Sequence, residues 1–209
     1  TTGFNNVAIG FTALSANTTG WTNTALGFAA LAANTTGSSN VGLGTSALSG
    51  NTTGSYNIAV GHMSLNVNTT GTYNVGLGYT ALCANTTGWA NTALSSMALR
   101  DNTTGSGNSA FGLNAMLVNT TGSNNLALGY GAGYTETPTN ANVSGSQNVW
   151  IGVEAGPGVV TQLTNSIGIG YQSHPLASNQ IFIGNTGHTS VILNGIVPAV
   201  SGQRYLCIS

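Results

Sequence analysis

"NTTGWTNTALGFAALAA" (residues 17–33) is followed without a gap by "NTTGSSNVGLGTSALSG" (residues 34–50), and the same four-letter opening continues down the chain. Its asparagines, Asn17, Asn34, Asn51, Asn68, Asn85, Asn102 and Asn119, are each 17 residues apart. A fixed short period marks a repeat architecture, in which each unit stacks on the next. The length of 209 residues therefore counts stacked units rather than the size of one globular core.

Numbered from that asparagine, each repeat has a second asparagine at position 7: Asn6, Asn23, Asn40, Asn57, Asn74, Asn91, Asn108 and Asn125. Position 10 is a large apolar residue (Ile9, Leu26, Leu43, Val60), and position 11 is glycine in every copy but Ser95. Position 15 is leucine from Leu14 to Leu99 and then Met116, while positions 9 and 14 are always small. Seventeen residues suit two short strands and two turns. "NVAIG" (6–10) alternates large and small as a strand does, and the glycine at its end permits a tight bend. "TALSA" (12–16) reads as a second strand, and NTTG as the turn between rungs. Helix is disfavoured, because the period leaves no room for two helices and glycine recurs every few residues.

The pattern predicts an all-β fold, a parallel β-solenoid of 17-residue rungs. Equivalent residues then stack about 4.8 Å apart. Asparagines at positions 1 and 7 become side-chain amide ladders, as in other stacked β structures. The large apolar residues at positions 10 and 15 are the expected core. The small ones at positions 9 and 14 suggest close approach by a second surface, hence several chains side by side.

Residues 1–135 carry the regular repeats. Residues 136–184 are irregular: a polar stretch with Pro138 (136–147) reads as an inserted loop, as does 171–178, and the strand motif returns as "NVWIG", "SIGIG" and "QIFIG". Residues 185–209 lose the repeat and read as a terminal cap or a transition segment. The chain opens partway through a repeat and reads as a piece of something longer.

Charge is almost absent: Arg100, Arg204, Asp101, Glu136 and Glu154, with a formal net charge of −1. Nucleic-acid binding needs a basic stripe to displace counterions, and none is written here. A polybasic membrane contact is disfavoured for the same reason, and no run approaches the roughly 20 apolar residues of a membrane span. Disorder is disfavoured too, since 41% of residues are hydrophobic and periodically placed.

Little in the chain supports catalysis, which needs positioned acids, bases, nucleophiles or metals. His62 replaces an aromatic of position 12, while His174 and His188 fall in separate loops. Cys83 and Cys207 stand in unrelated contexts and read as unpaired. No enzyme activity, metal site or cofactor is expected. Arg100 and Asp101 form a local pair in one turn. Each Asn-Thr-Thr is also a glycosylation sequon, with "NVS" (142–144) another, although the turn already explains the asparagine.

Trp21, Trp89, Tyr56 and Tyr73 follow the corner, at positions 5 and 6. Beside hydroxyls and amides they could stack on sugars, but packing between chains or over the solenoid edge is the favoured role. These four, with His174, are the candidate surface-contact residues.

The strands "NVAIG", "NTALG", "NSAFG", "SIGIG" and "QIFIG", with the 14-residue step from Ser166 to Gln180, resemble the head repeats of trimeric autotransporter adhesins. The 17-residue units resemble the longer variant in phage tail fibres and large bacterial surface proteins. The resemblance implies a left-handed β-roll, a homotrimer of side-by-side chains, and an extracellular fibre on a cell surface or virion. Its partner would be a host surface, a glycan or a matrix, with no nucleic acid and no membrane insertion. Alternative readings are an ice-binding solenoid, disfavoured because the paired threonines are adjacent and point to opposite faces, and a self-assembling matrix filament.

Overall fold

The computed structural model describes residues 2–134 and 141–187. Eleven strands of three residues each run from β1 (Val7–Ile9), β2 (Thr24–Leu26), β3 (Val41–Leu43), β4 (Ile58–Val60), β5 (Val75–Leu77) and β6 (Thr92–Leu94) to β7 (Ser109–Phe111), β8 (Leu126–Leu128), β9 (Val149–Ile151), β10 (Ile167–Ile169) and β11 (Ile181–Ile183). They form one sheet in sequence order. Every neighbouring pair is parallel, and equivalent repeat positions face each other, as in Val41↔Ile58 and Leu43↔Val60. The fold is an all-β parallel solenoid, one strand per rung.

The second expected strand is absent. Residues 11–16 form a chain of turns, in which Thr12 and Leu14 have φ of 55° and 53°. The reason lies in the side chains. Ala30 and Leu31, at adjacent positions 14 and 15, are both fully buried, whereas a strand would send neighbours to opposite faces. The left-handed residues turn both inward. The backbone then alternates two kinds of bond: Ala13 N–H donates to Gly10 O within the rung at 3.2 Å, and Leu14 N–H donates to Ala30 O of the next rung at 2.9 Å.

The inside of the strand is also the reverse of the expectation. From β2 to β10 the central residue, position 9, is buried, while positions 8 and 10 are exposed or half-exposed. Ala25 is 0% exposed, but Leu26 is 47% and Ile9 59% exposed. The buried leucines of the opposite layer already fill the interior. A Cβ on Gly42 would lie 3.2 Å from Ala47 O and 3.4 Å from Leu31 Cγ, so only Gly or Ala fits under the sheet. The small residues at positions 9 and 14 thus belong to the chain's own core, and the large position-10 residues lie outside it.

The stack continues past the irregular region. Leu126 pairs with Val149, a step of 23 residues, and Ile167 pairs with Ile181, a step of 14. Of the polar stretch 136–147, residues 136–140 lie outside the described residues. The rest is an ordinary corner rather than a loop, because Asn142 N–H donates to Gly133 O at 2.8 Å, as Asn17 N–H does to Leu14 O at 3.3 Å. The core is repacked there: Gly133 replaces the usual leucine, and the buried indole of Trp150 replaces the usual alanine. A Cβ on Gly133 would sit 3.1 Å from Trp150 Cδ1. The expected cap at 185–209, with His188, Cys207 and Arg204, lies outside the described residues from 188 onward.

Candidate functional site: the ladders and the outward sheet face

Two columns of buried asparagine run through the corners. At position 7, the Asn40 side-chain amide donates to Asn23 Oδ1 at 3.2 Å and to Gly54 O at 2.8 Å, while the Asn40 backbone N–H donates to Asn23 Oδ1 at 3.0 Å. The same bonds recur at Asn57, Asn74, Asn91, Asn108 and Asn125. Asn6 begins the column, with its Oδ1 accepting Asn23 N–H at 2.8 Å. At position 1, Asn34 donates to Asn17 Oδ1 at 3.0 Å and to Gly37 O at 2.9 Å, and the pattern repeats through Asn51, Asn68, Asn85, Asn102 and Asn119. An amide has two donor protons and two acceptor lone pairs. In the middle of the position-7 column all four are used. Buried and satisfied, such a network holds one register of rungs against its alternatives.

The corner glycines tie the two columns together. Gly37 O accepts from both Asn23 and Asn34 at 2.9 Å, and a Cβ on Gly37 would collide with Gly54 O. The first threonine of the motif is also bound, since Thr35 Oγ1 donates to Thr52 O at 3.0 Å. The second, as at Thr36 and Thr53, is exposed. The corner therefore shows solvent one column of free threonine hydroxyls.

Burial bears on the sequons. Asn34, Asn51, Asn68, Asn85, Asn102, Asn119 and Asn142 are 0% exposed. A glycan on Nδ2 would displace two hydrogen bonds and open the corner, so the folded rung and a modified asparagine exclude each other.

Gln162 ends the corner stack with a device that sequence reading missed. Its Oε1 accepts the N–H groups of Val143, Ser144 and Gly145 at 2.6, 2.9 and 3.3 Å. In regular rungs a threonine carbonyl does this work, as Thr35 O does for Thr18 and Thr19 at 2.9 and 3.2 Å.

The outward sheet face is the larger omission. Val7, Thr24, Val41, Ile58 and Val75 of position 8 stand in one column, with Ile9, Leu26, Leu43, Val60 and Leu77 of position 10 in the next. No charged residue occupies either column. Rings flank the face at both ends of the strands. Phe4 stacks on Trp21 (centroids 6.2 Å apart) and Tyr56 on Tyr73 (4.9 Å) at positions 5 and 6. Phe11 stacks on Phe28 (5.7 Å) and His62 on Tyr79 (5.5 Å) at position 12. Trp89 is exposed on its edge. His174 lies apart from these, on the last rungs: its Nε2 is 3.0 Å from Glu154 O, beside a shallow concavity of about 320 Å³ that it shares with Gln172, Leu176 and Phe182.

Chemistry is sparse. Among the described residues no group of three His, Cys, Asp or Glu could hold a metal ion, and Arg100–Asp101 is the one ion pair, at 2.6 Å and partly exposed. Cys83 is a free, half-buried thiol whose pKa burial raises. No helix is long and apolar enough to cross a membrane among the described residues. No family model, no curated protein and no solved structure matches this chain.

Proposed function

We propose that the chain is a non-catalytic, rigid segment of an extracellular fibre, in a bacterial surface adhesin or a phage tail fibre, and that it works as a side-by-side homotrimer. The observation that carries this reading is the outward sheet face. An ordinary monomer rarely shows a contiguous apolar patch beyond a few hundred Å². Here the position-10 column is apolar in every one of the eleven described strands, from Ile9 to Ile183, beside a position-8 column that is uncharged and mostly apolar, interrupted by Thr24, Thr92 and Ser109. Three copies with this face turned to a common axis would bury it. Attachment to a host surface, glycan or matrix would then gain strength from three linked contacts. The threonine corner gives little support to ice binding, because it offers one free column rather than a flat array.

Light scattering tests the reading. A molar mass of three chains is expected, with no thermal hysteresis in ice-containing solution; a single-chain mass would overturn the side-by-side assembly. Attachment to host cells should weaken when residues 171–178 are replaced by a short glycine linker, and undiminished attachment would remove that segment from the recognition surface.

A further inference from the structure

The four stacked ring pairs fall on only two pairs of rungs. Phe4–Trp21 and Phe11–Phe28 flank β1 and β2; Tyr56–Tyr73 and His62–Tyr79 flank β4 and β5. Between them, the rung of β3 has no ring at either edge, carrying Ser38, Ser39 and Thr45. Rings are thus present together or missing together at the two edges over the first five rungs. No ring contact joins the edges within the chain, as every stacked pair lies along one edge. Five or six residues, including a whole strand, separate the two rings of a rung. All eight side chains are exposed, Phe11 at 73% and Tyr73 at 60%.

We infer that the two edges meet between copies: the position-12 edge of one chain packs against the position-5/6 edge of its neighbour, rung level with rung. This rests on the side-by-side reading above. A cyclic assembly whose axis runs along the stack keeps equal rungs at equal height. Its interface is heterologous, so two different surfaces of one chain must match each other. Edge-matched rings satisfy that condition, and aromatic pairs in contact contribute beyond the area they bury. Each seam then holds two four-ring clusters, at β1–β2 and at β4–β5, separated by a small-residue rung. Clusters spaced in this way also set the register, because sliding one chain by a rung would place rings against serine and threonine.

Cross-linking tests it. In a Cys83→Ser/Cys207→Ser background, Thr45→Cys and Ser39→Cys place one thiol on each edge of the β3 rung. A short bismaleimide should convert this double variant into a covalently closed trimer on a denaturing gel. The mismatched pair Thr45→Cys with Asn124→Cys, five rungs or about 24 Å apart at about 4.8 Å per rung, should stay single-chain. Abundant dimer from Thr45→Cys alone would mean that like edges meet, and equal linking of the mismatched pair would mean that register is not kept; either result overturns the seam. A multi-chain mass with no matched linking would sink the seam alone. A single-chain mass would sink the side-by-side reading with it.

Discussion

Asn57 Oδ1 accepts two hydrogen bonds from Asn74, one from its backbone N–H at 3.0 Å and one from its side-chain amide at 3.2 Å. From Asn23 to Asn108, each rung holds the next by a side-chain oxygen with no lone pair left over. Both partners must be amides for this to work, because each serves as donor to one neighbour and acceptor to the other.

Asn74→Asp removes the two amide protons and places a carboxyl between Asn57 Oδ1 and Gly88 O. Burial, with two acceptors facing one of its oxygens, pushes its folded pKa above the ordinary carboxylate range, against the two Asn91 donors that face the other oxygen. The stability of this variant is present below that range and is lost as pH rises through the raised value. At pH 7, an unpaired buried charge should cost about 3–5 kcal/mol. Thermal melts followed by circular dichroism should show the variant far less stable at pH 7 than at pH 3. A variant with pH-independent melting would contradict the buried ladder.

Leu82 and Leu77 separate inside from outside. Leu82→Ala empties a fully buried site and should cost about 2–5 kcal/mol in chemical denaturation. Leu77→Glu changes an exposed residue of the sheet face, so the rung should stay folded while the molar mass falls to one chain. If Leu77→Glu leaves the mass of three chains intact, the face is not the contact surface.

Gly133 and Trp150 form an exchanged pair. Trp150→Ala should cost about 3–5 kcal/mol through the cavity it leaves, and Gly133→Leu should be harmful alone because its side chain enters the indole's space. Together they restore the alanine–leucine pattern of the other rungs, so the double variant should be more stable than the sum of the two single changes predicts. A double-mutant cycle reads this coupling directly; strict additivity would mean that the two sites do not share a space.

Ala90 has φ of 53°, where a Cβ costs about 1–2 kcal/mol. Ala90→Gly should therefore raise the melting temperature slightly, since the relief exceeds the added backbone entropy of about 0.5–1 kcal/mol. Ala93→Gly, in the middle of β6 and fully buried, should lower it. A fall for both would show that the left-handed turn at Ala90 carries no strain.

The period, the register and the asparagine columns were legible because each is a statement about identical residues meeting across rungs. Which side of a strand faces inward was not. Alternation separates Ala25 from Thr24 and Leu26 but names neither face, and the habit of placing leucine inside chose wrongly. The deciding signal was Ala-Leu at positions 14 and 15: two adjacent inward residues cannot both come from a strand, and together they leave room under the sheet only for a methyl group or less. Gln162 was illegible for another reason. Its role comes from a rung of altered length, in which a side-chain oxygen occupies the place of a repeat carbonyl.

The one-strand rung also decides how the solenoid would respond to tension. A pull along the stack loads the bonds between rungs directly, and they recur in the same set at each regular 17-residue level. Rungs would therefore detach one at a time from an end rather than all at once. Each detached 17-residue unit extends to roughly 56–61 Å of chain, in place of a level about 4.8 Å high. A chain of this design would lengthen many-fold in nearly equal steps before breaking, so repeat number would set its capacity to absorb a sudden load.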